Sequence, residues 1–287
     1  MTRAQSSHLA GTWYAAGTER LRMQVDELLA TAAVALQGAM PCAGIVVPHA
    51  GYAYSGRAAA AAYALLRGGD YRRAVILAPS HYAAFRGVAL PDVEAFETPL
   101  GVTPVDRSAL ALLRAAPLFR CDPEPYQREH AFEIQLPLLQ RVLPHIAVVP
   151  ALLGGFGAAD YVPVAATLAQ LADASTLFVV SSDLVHYGSR FDYLPFPPAG
   201  VQAVRSGVRA LDMGAIERVC AGDAAGFLDY IASTGATICG RVPIATFLVL
   251  HAGRTPGTLL AYETSLDITG DYEHSVSYAS IAFPRTA

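Results

Sequence analysis

Short apolar runs alternate along this chain with longer segments whose apolar positions recur at helical spacing. Ala43 to Val47, Arg73 to Ala78, Ile146 to Leu153 and Thr176 to Val180 are nearly continuous in Val, Ile, Leu and Ala. They lack the polar alternation of a half-exposed strand, so they read as strands buried on both faces. Between them, Thr18 is placed to cap a helix over Glu19 to Leu36 that Gly38 closes. Alanine-rich Arg57 to Leu66 predicts a helix beginning beyond Gly56, Asp106 caps another to about Ala116, and Asp160 to Ala172 a further one. Glu129 to Val142 carries Phe132, Ile134, Leu136, Leu139 and Val142 at helical spacing, with a kink expected at Pro137. Helices follow over Val201 to Leu211, Ala224 to Ala232 and Pro243 to His251. Gly257 to Leu266 and Ser275 to Phe283 alternate as the antiparallel edge of a sheet would. Gly87 to Val105 is mixed and proline-bearing, predicting short strands and loops that cover the site, and Phe191 to Ala199 reads as an irregular loop. Strands alternating with helices predict a single α/β domain over residues 1–287, with a mixed central sheet flanked by helices.

Composition narrows the class. With 53% hydrophobic and 15% charged residues, the 287-residue chain has the makings of a large packed core rather than of disorder. No apolar run approaches the ~20 residues that span a bilayer, so no membrane role is expected. Met1 to Ala10 is polar, without the apolar stretch of a secretory signal, and a cytoplasmic location is the expectation. A net charge of -4, carried by 20 arginines and no lysine among the cations and without a basic cluster, argues against nucleic acid as a partner. Cys42, Cys121, Cys220 and Cys239 are widely spaced and form no C-x-x-C pair, which points to free thiols.

Chemistry concentrates at strand ends. Ile45-Val46-Val47-Pro48-His49, Val75-Ile76-Leu77-Ala78-Pro79-Ser80-His81 and Leu177 through Ser181-Ser182-Asp183 to His186 each run from a buried strand into a histidine. In open α/β sheets ligands sit beyond the carboxyl ends of strands, and neutral imidazole is the commonest ligand for zinc, copper or iron. Each histidine taken singly is better read as a hydrogen-bonded loop residue; the three together point to one site. Cys239 lies just before the helix that Pro243 opens, where a helix N-terminus lowers a thiol's pKa. Asp183 is either a turn cap or the group that orients a nearby imidazole. His130 and Glu133 share a helical face, a pairing that can hold metal but that, at a helix start where acidic residues are favoured anyway, reads rather as pocket lining or support for the site. Gly154-Gly155-Phe156-Gly157 lacks a lysine and reads as a turn, and His8, His145, His251 and His274 read as structural or surface residues.

Taken in order, the chain resembles the Memo family. The residues that carry the likeness are His-Leu-Ala-Gly-Thr-Trp-Tyr at 8–14, Pro-His-Ala-Gly-Tyr at 48–52, Pro-Ser-His at 79–81, Glu-His at 129–130, Ser-Ser-Asp-x-x-His at 181–186, Thr-Ile-Cys-Gly-Arg at 237–241 and Ser-Val-Ser-Tyr at 275–278. In prokaryotes that family is the B component of the AmmeMemoRadiSam system, which implies a radical-SAM pathway partner. The resemblance further implies a fold shared with class III extradiol dioxygenases, non-haem Fe(II) enzymes that open catechol rings. Carried over by position, His49 and His81 fall on their two histidine ligands, His186 on their acid/base histidine, and Cys239 where they place a carboxylate ligand. A soft thiolate in that place shifts metal preference toward copper or zinc.

These readings converge on a metal-dependent redox enzyme. Its metal would be held by His49, His81, His186 and Cys239, with His186 as ligand or acid/base and Asp183 orienting it. Fe(II) is the first expectation, copper the second and zinc the third. Dioxygen and a small phenolic substrate would enter a pocket lined by Tyr52, Tyr82, His130, Tyr187 and Tyr193. A non-catalytic Memo-like binding or signalling module and a zinc-dependent hydrolase are the competing readings.

Overall fold

The computed structural model describes residues 3–35 and 40–285, so the expected helix end at Leu36 and its closure by Gly38 lie outside the described residues. Its strands are β1 (Ala4–Ser6), β2 (Cys42–Val47), β3 (Arg73–Pro79), β4 (Val88–Leu90), β5 (Ala95–Thr98), β6 (Gly101–Pro104), β7 (Phe119–Cys121), β8 (Ala147–Leu153), β9 (Thr176–Ser181), β10 (His186–Tyr187), β11 (Thr258–Thr264) and β12 (Ser275–Pro284). Its helices are α1 (Thr18–Ala35), α2 (Tyr52–Ala64), α3 (Arg107–Arg114), α4 (His130–Glu133), α5 (Leu136–Val142), α6 (Tyr161–Ala169), α7 (Val201–Ala221), α8 (Ala224–Thr234), α9 (Arg241–Leu250) and α10 (Ser265–Thr269). Among the described residues, no helix is long and apolar enough to cross a membrane.

Nine strands form one mixed sheet in the order β10-β12-β2-β9-β3-β8-β4-β7, with β11 added on β12. Its centre, β2-β9-β3-β8, is parallel, and here the apolar runs of the sequence are buried on both faces, as Val46, Val75, Ile76, Val149 and Val179 show. The C-terminal runs do form an antiparallel flank: β12 pairs β2 through Ile281 and Val46, and β11 closes that edge. A second sheet, β1-β5-β6, takes up the segment expected to cover the site. Its Phe96 meets Tyr126 and Phe132, the latter on α4.

Several helix boundaries differ from the sequence reading, most of all α7, which runs on to Ala221 instead of ending at Leu211. α2 begins at Tyr52, directly after Gly51, not beyond Gly56. Gly56 lies inside it because a Cβ there would meet Leu28 Cδ1 at 2.9 Å, so the missing side chain is what lets α1 and α2 approach. Pro137 does not kink one long helix. It stands in the first turn of α5, where its missing N–H has no intrahelical partner to lose, and α4 ends before it. Asp106 caps α3 as expected, accepting from Ala109 N.

Candidate metal centre

Because the four central strands are parallel, their carboxyl ends share one edge: Val47 lies opposite Ser181, and Pro79 opposite Leu153. The histidines that follow β2 and β3 therefore emerge side by side. Their ring centroids stand 5.1 Å apart, and His130, delivered by the first residue of α4, stacks on His81 at 4.5 Å and meets His49 edge-on at 5.3 Å. One ring nitrogen from each of His49, His81 and His130 lies within 4.8 Å of the other two.

The hydrogen bonds behind these rings decide which nitrogen carries the proton. His49 Nδ1 is 2.9 Å from Ser181 Oγ. Ser181 spends its single proton on the Ala131 carbonyl at 2.6 Å and accepts from Gln135 Nε2 at 3.0 Å. Gln135 is itself fixed, its amide donating to Pro48 O and its oxygen accepting from the Tyr63 hydroxyl. Ser181 can then only accept from His49, so Nδ1 is protonated and Nε2 offers a lone pair to the cluster. His81 Nδ1 donates to Glu129 Oε1 at 2.8 Å while its backbone N–H donates to Oε2 at 2.7 Å. His186 Nδ1 donates to the Thr237 carbonyl at 3.0 Å, and the Thr237 hydroxyl ties down the His186 backbone from both sides. All three strand-end histidines thus carry a proton on Nδ1, which leaves Nε2 as the nitrogen that a metal would take.

Charge balance supports the same state. Burial drives His49 well below the usual histidine range, reinforced by His81, His130 and His186. Burial, then His81, pushes His130 down to about 4, with Glu129 acting in opposition. Burial works to raise the Glu129 carboxyl, yet the hydrogen bond and charge of His81, with the amides of His81 and Ala131, bring it below the ordinary carboxylate range. His49 and His130 are therefore neutral donors at neutral pH, backed by an ionised carboxylate.

Cys239 reaches this cluster through Gly240. A Cβ on Gly240 would meet Ser182 Cβ at 2.3 Å and Ser181 O at 2.7 Å, so only glycine lets this loop lie against the end of β9. Cys239 Sγ then sits 3.1 Å from His49 Nε2 and accepts from the Asp183 amide at 3.3 Å. The helix N-terminus does not lower its pKa as expected. Burial and then the Asp183 carboxylate raise the thiol, against the amides of Asp183 and Gly240 and the Ser182 hydroxyl. A bound cation would reverse that balance, since a coordinating thiol is deprotonated outright.

The other sequence candidates divide. His186 does not belong to the three-imidazole group, and its Nδ1 is turned to the Thr237 carbonyl. Asp183, buried, does not orient the His186 ring; it accepts from the His49 backbone N–H at 2.8 Å and so fixes the turn that carries His49. Tyr82 is exposed at the site, 3.3 Å from His130 Nδ1. Tyr52 and Tyr187 are core residues whose hydroxyls are spent on Ile134 O and Phe196 O, and Tyr193 bonds Thr234 O, so these three are not on the pocket wall. Glu129, Ser181 and Thr237, which set the imidazole tautomers, escaped the sequence reading. Glu129 and Thr237 stood inside quoted motifs, but their partners lie 48 and 51 residues away. Trp13 also escaped it: its ring is 4.5 Å from His130, held there because Tyr52 N donates to Trp13 O and Glu133 binds Ser7, Leu9 and Tyr14.

A pocket of about 550 Å³ opens at the His81 side of the cluster, with His81, Tyr82, Phe85, Cys239 and Arg241 on its walls.

Comparison with known proteins adds the following. A family model described as Memo-like protein matches residues 5–282. Protein MEMO1 of Xenopus tropicalis is 33% identical over 96% of this chain and 95% of its own length. Protein memo-1 homolog of Caenorhabditis elegans is 32% identical over 96% of this chain and 81% of its own. A MEMO1 family protein of Methanopyrus kandleri is 32% identical over 98% and 99%. The crystal structure of an uncharacterized protein from Escherichia coli K12 aligns with 84% of this chain and 98% of its own at a TM-score of 0.49 and 16% identity.

Proposed function

The chain belongs to the Memo-like protein family, and from that premise we propose that the histidine cluster is the metal centre of an oxidoreductase acting with dioxygen on a small phenolic substrate. The observation that carries the reading is the set of imidazoles turned, each by its own buried acceptor, so that Nε2 is left unprotonated. A merely structural histidine has no need of that arrangement.

His49 and His81 are the proposed anchors. His130 completes a three-imidazole set, and Cys239, against His49, offers a soft fourth donor. The proposed ion is Fe(II), with copper the first competitor and zinc the second; imidazole suits all three. When bound, such an ion supplies Lewis-acid polarisation and redox chemistry. The chain's own residues do the rest. Glu129, Ser181 and Thr237 hold the rings in register. His186, with Nε2 unprotonated, takes up a phenolic proton within hydrogen-bond reach. Trp13 and Tyr82 flank His130.

The test is dioxygen uptake by anaerobically iron-loaded protein given a catechol. Uptake is expected in the parent, and His186→Ala should keep the metal but lose about 10²–10⁴-fold in rate. Metal binding without uptake would favour the binding-module reading, and ester hydrolysis by zinc-loaded protein the hydrolase reading.

A further inference from the structure

The pocket beside the cluster is asymmetric in charge. His81 and Cys239 line it together with apolar Pro79, Phe85, Leu153 and Val242. The one charged residue on its wall is Arg241. The carboxylates of the neighbourhood are already engaged: Glu129 on His81, Asp183 on the His49 amide, and Asp160 on Arg86 at 2.6 and 3.0 Å. Among the described residues, no carboxylate pairs with Arg241 and no acceptor takes up its guanidinium. A second arginine, Arg128, lies with Cζ 5.4 Å from the Tyr82 ring, outside that wall. We propose that this pocket takes a small ring-bearing monocarboxylic acid, its carboxylate on Arg241 and its uncharged end turned toward His81 and Cys239.

One guanidinium on the wall offers one planar fork, which matches a carboxylate bidentately. A dianionic phosphate would call for more donors than this wall presents. The volume, about 550 Å³, is in the ordinary range for small-molecule sites and admits a single aromatic ring with its substituents. The orientation of the acid rests on reading the cluster as the reaction centre; the anion contact does not.

The probes are 4-hydroxybenzoate and its neutral isostere 4-hydroxybenzamide, titrated into the full chain by calorimetry, first without added metal and then with Zn(II). The acid is expected to bind about 10- to 100-fold more tightly than the amide, the span that a hydrogen bond to a charged group supports. Arg241→Met should abolish that preference while leaving the melting temperature and Zn(II) uptake as in the parent. Equal affinity for acid and amide in the parent, or a preference that survives in Arg241→Met, would overturn the proposal. His81→Ala separates the two readings. Loss of Zn(II) uptake with the acid preference intact supports both. A parent that shows the preference but takes up no metal sinks the metal centre and leaves the anion pocket standing.

Discussion

Glu129→Gln probes the device on which the site depends. The buried carboxylate accepts from His81 N at 2.7 Å, His81 Nδ1 at 2.8 Å and Ala131 N at 3.0 Å. An amide keeps the shape but exchanges one acceptor oxygen for an NH₂ group. If that NH₂ faces the His81 ring, the imidazole must accept at Nδ1 and carry its proton on Nε2, so the lone pair offered to the metal is lost. If it faces the backbone, two N–H donors oppose each other in a buried place. Removing such an orienting partner costs about 10–100-fold in metal affinity, or about 1.4–2.7 kcal/mol. Losing a hydrogen bond to a charged group costs a further ~1.5–3 kcal/mol of folding stability. Zn(II) affinity is read by chelator competition, followed by emission from Trp13, which is the chain's single tryptophan and lies 4.5 Å from His130. A thermal melt supplies the stability. A folded variant whose Zn(II) affinity stays within twofold of the parent would show that Glu129 does not set the His81 tautomer.

Ser181→Ala removes the acceptor behind His49, and a loss of about tenfold or more in Zn(II) affinity is expected, measured by the same competition. Cys239→Ser should weaken copper(I) binding sharply, while Cys42→Ser, Cys121→Ser and Cys220→Ser leave it unchanged; equal copper(I) affinity in all four variants would remove Cys239 from the site. Asp212, buried in α7 and bonded by Val185 N and the Tyr262 hydroxyl, has its carboxyl pushed up to about 6 by burial. The native state then holds a proton that the unfolded chain releases near 3.8. Its contribution to stability is therefore present at low pH and lost as pH rises through about 4 to 6, by about 3 kcal/mol. In Asp212→Asn, denaturant melts across that window should lack this component; identical pH profiles for parent and variant would contradict it.

The buried centre of the sheet was legible because a strand covered on both faces must be apolar throughout, as β3 and β9 are. His49 and His81 were legible because each follows such a strand within two residues and parallel strands end together. The role of His130 was not, since its ring reaches the cluster from a one-turn helix on another part of the chain. The Asp183 assignment failed for a related reason. Three residues of spacing from His186 suggested a contact, but the turn after β9 sends the carboxylate to the backbone of His49 and leaves His186 to Thr237. Likewise the tyrosines Tyr52 and Tyr187, adjacent to site residues in sequence, point into the core, because neighbours along an extended or helical backbone face different ways.

The most direct test of the metal centre is an anaerobic titration of Fe(II) into the full chain, followed by Trp13 emission and checked by metal analysis after desalting. A single saturable site is predicted in the parent, lost in His49→Ala and in His81→Ala and retained in His186→Ala. An emission that does not saturate, or His49→Ala and His81→Ala proteins that fold normally and bind Fe(II) as the parent does, would contradict it.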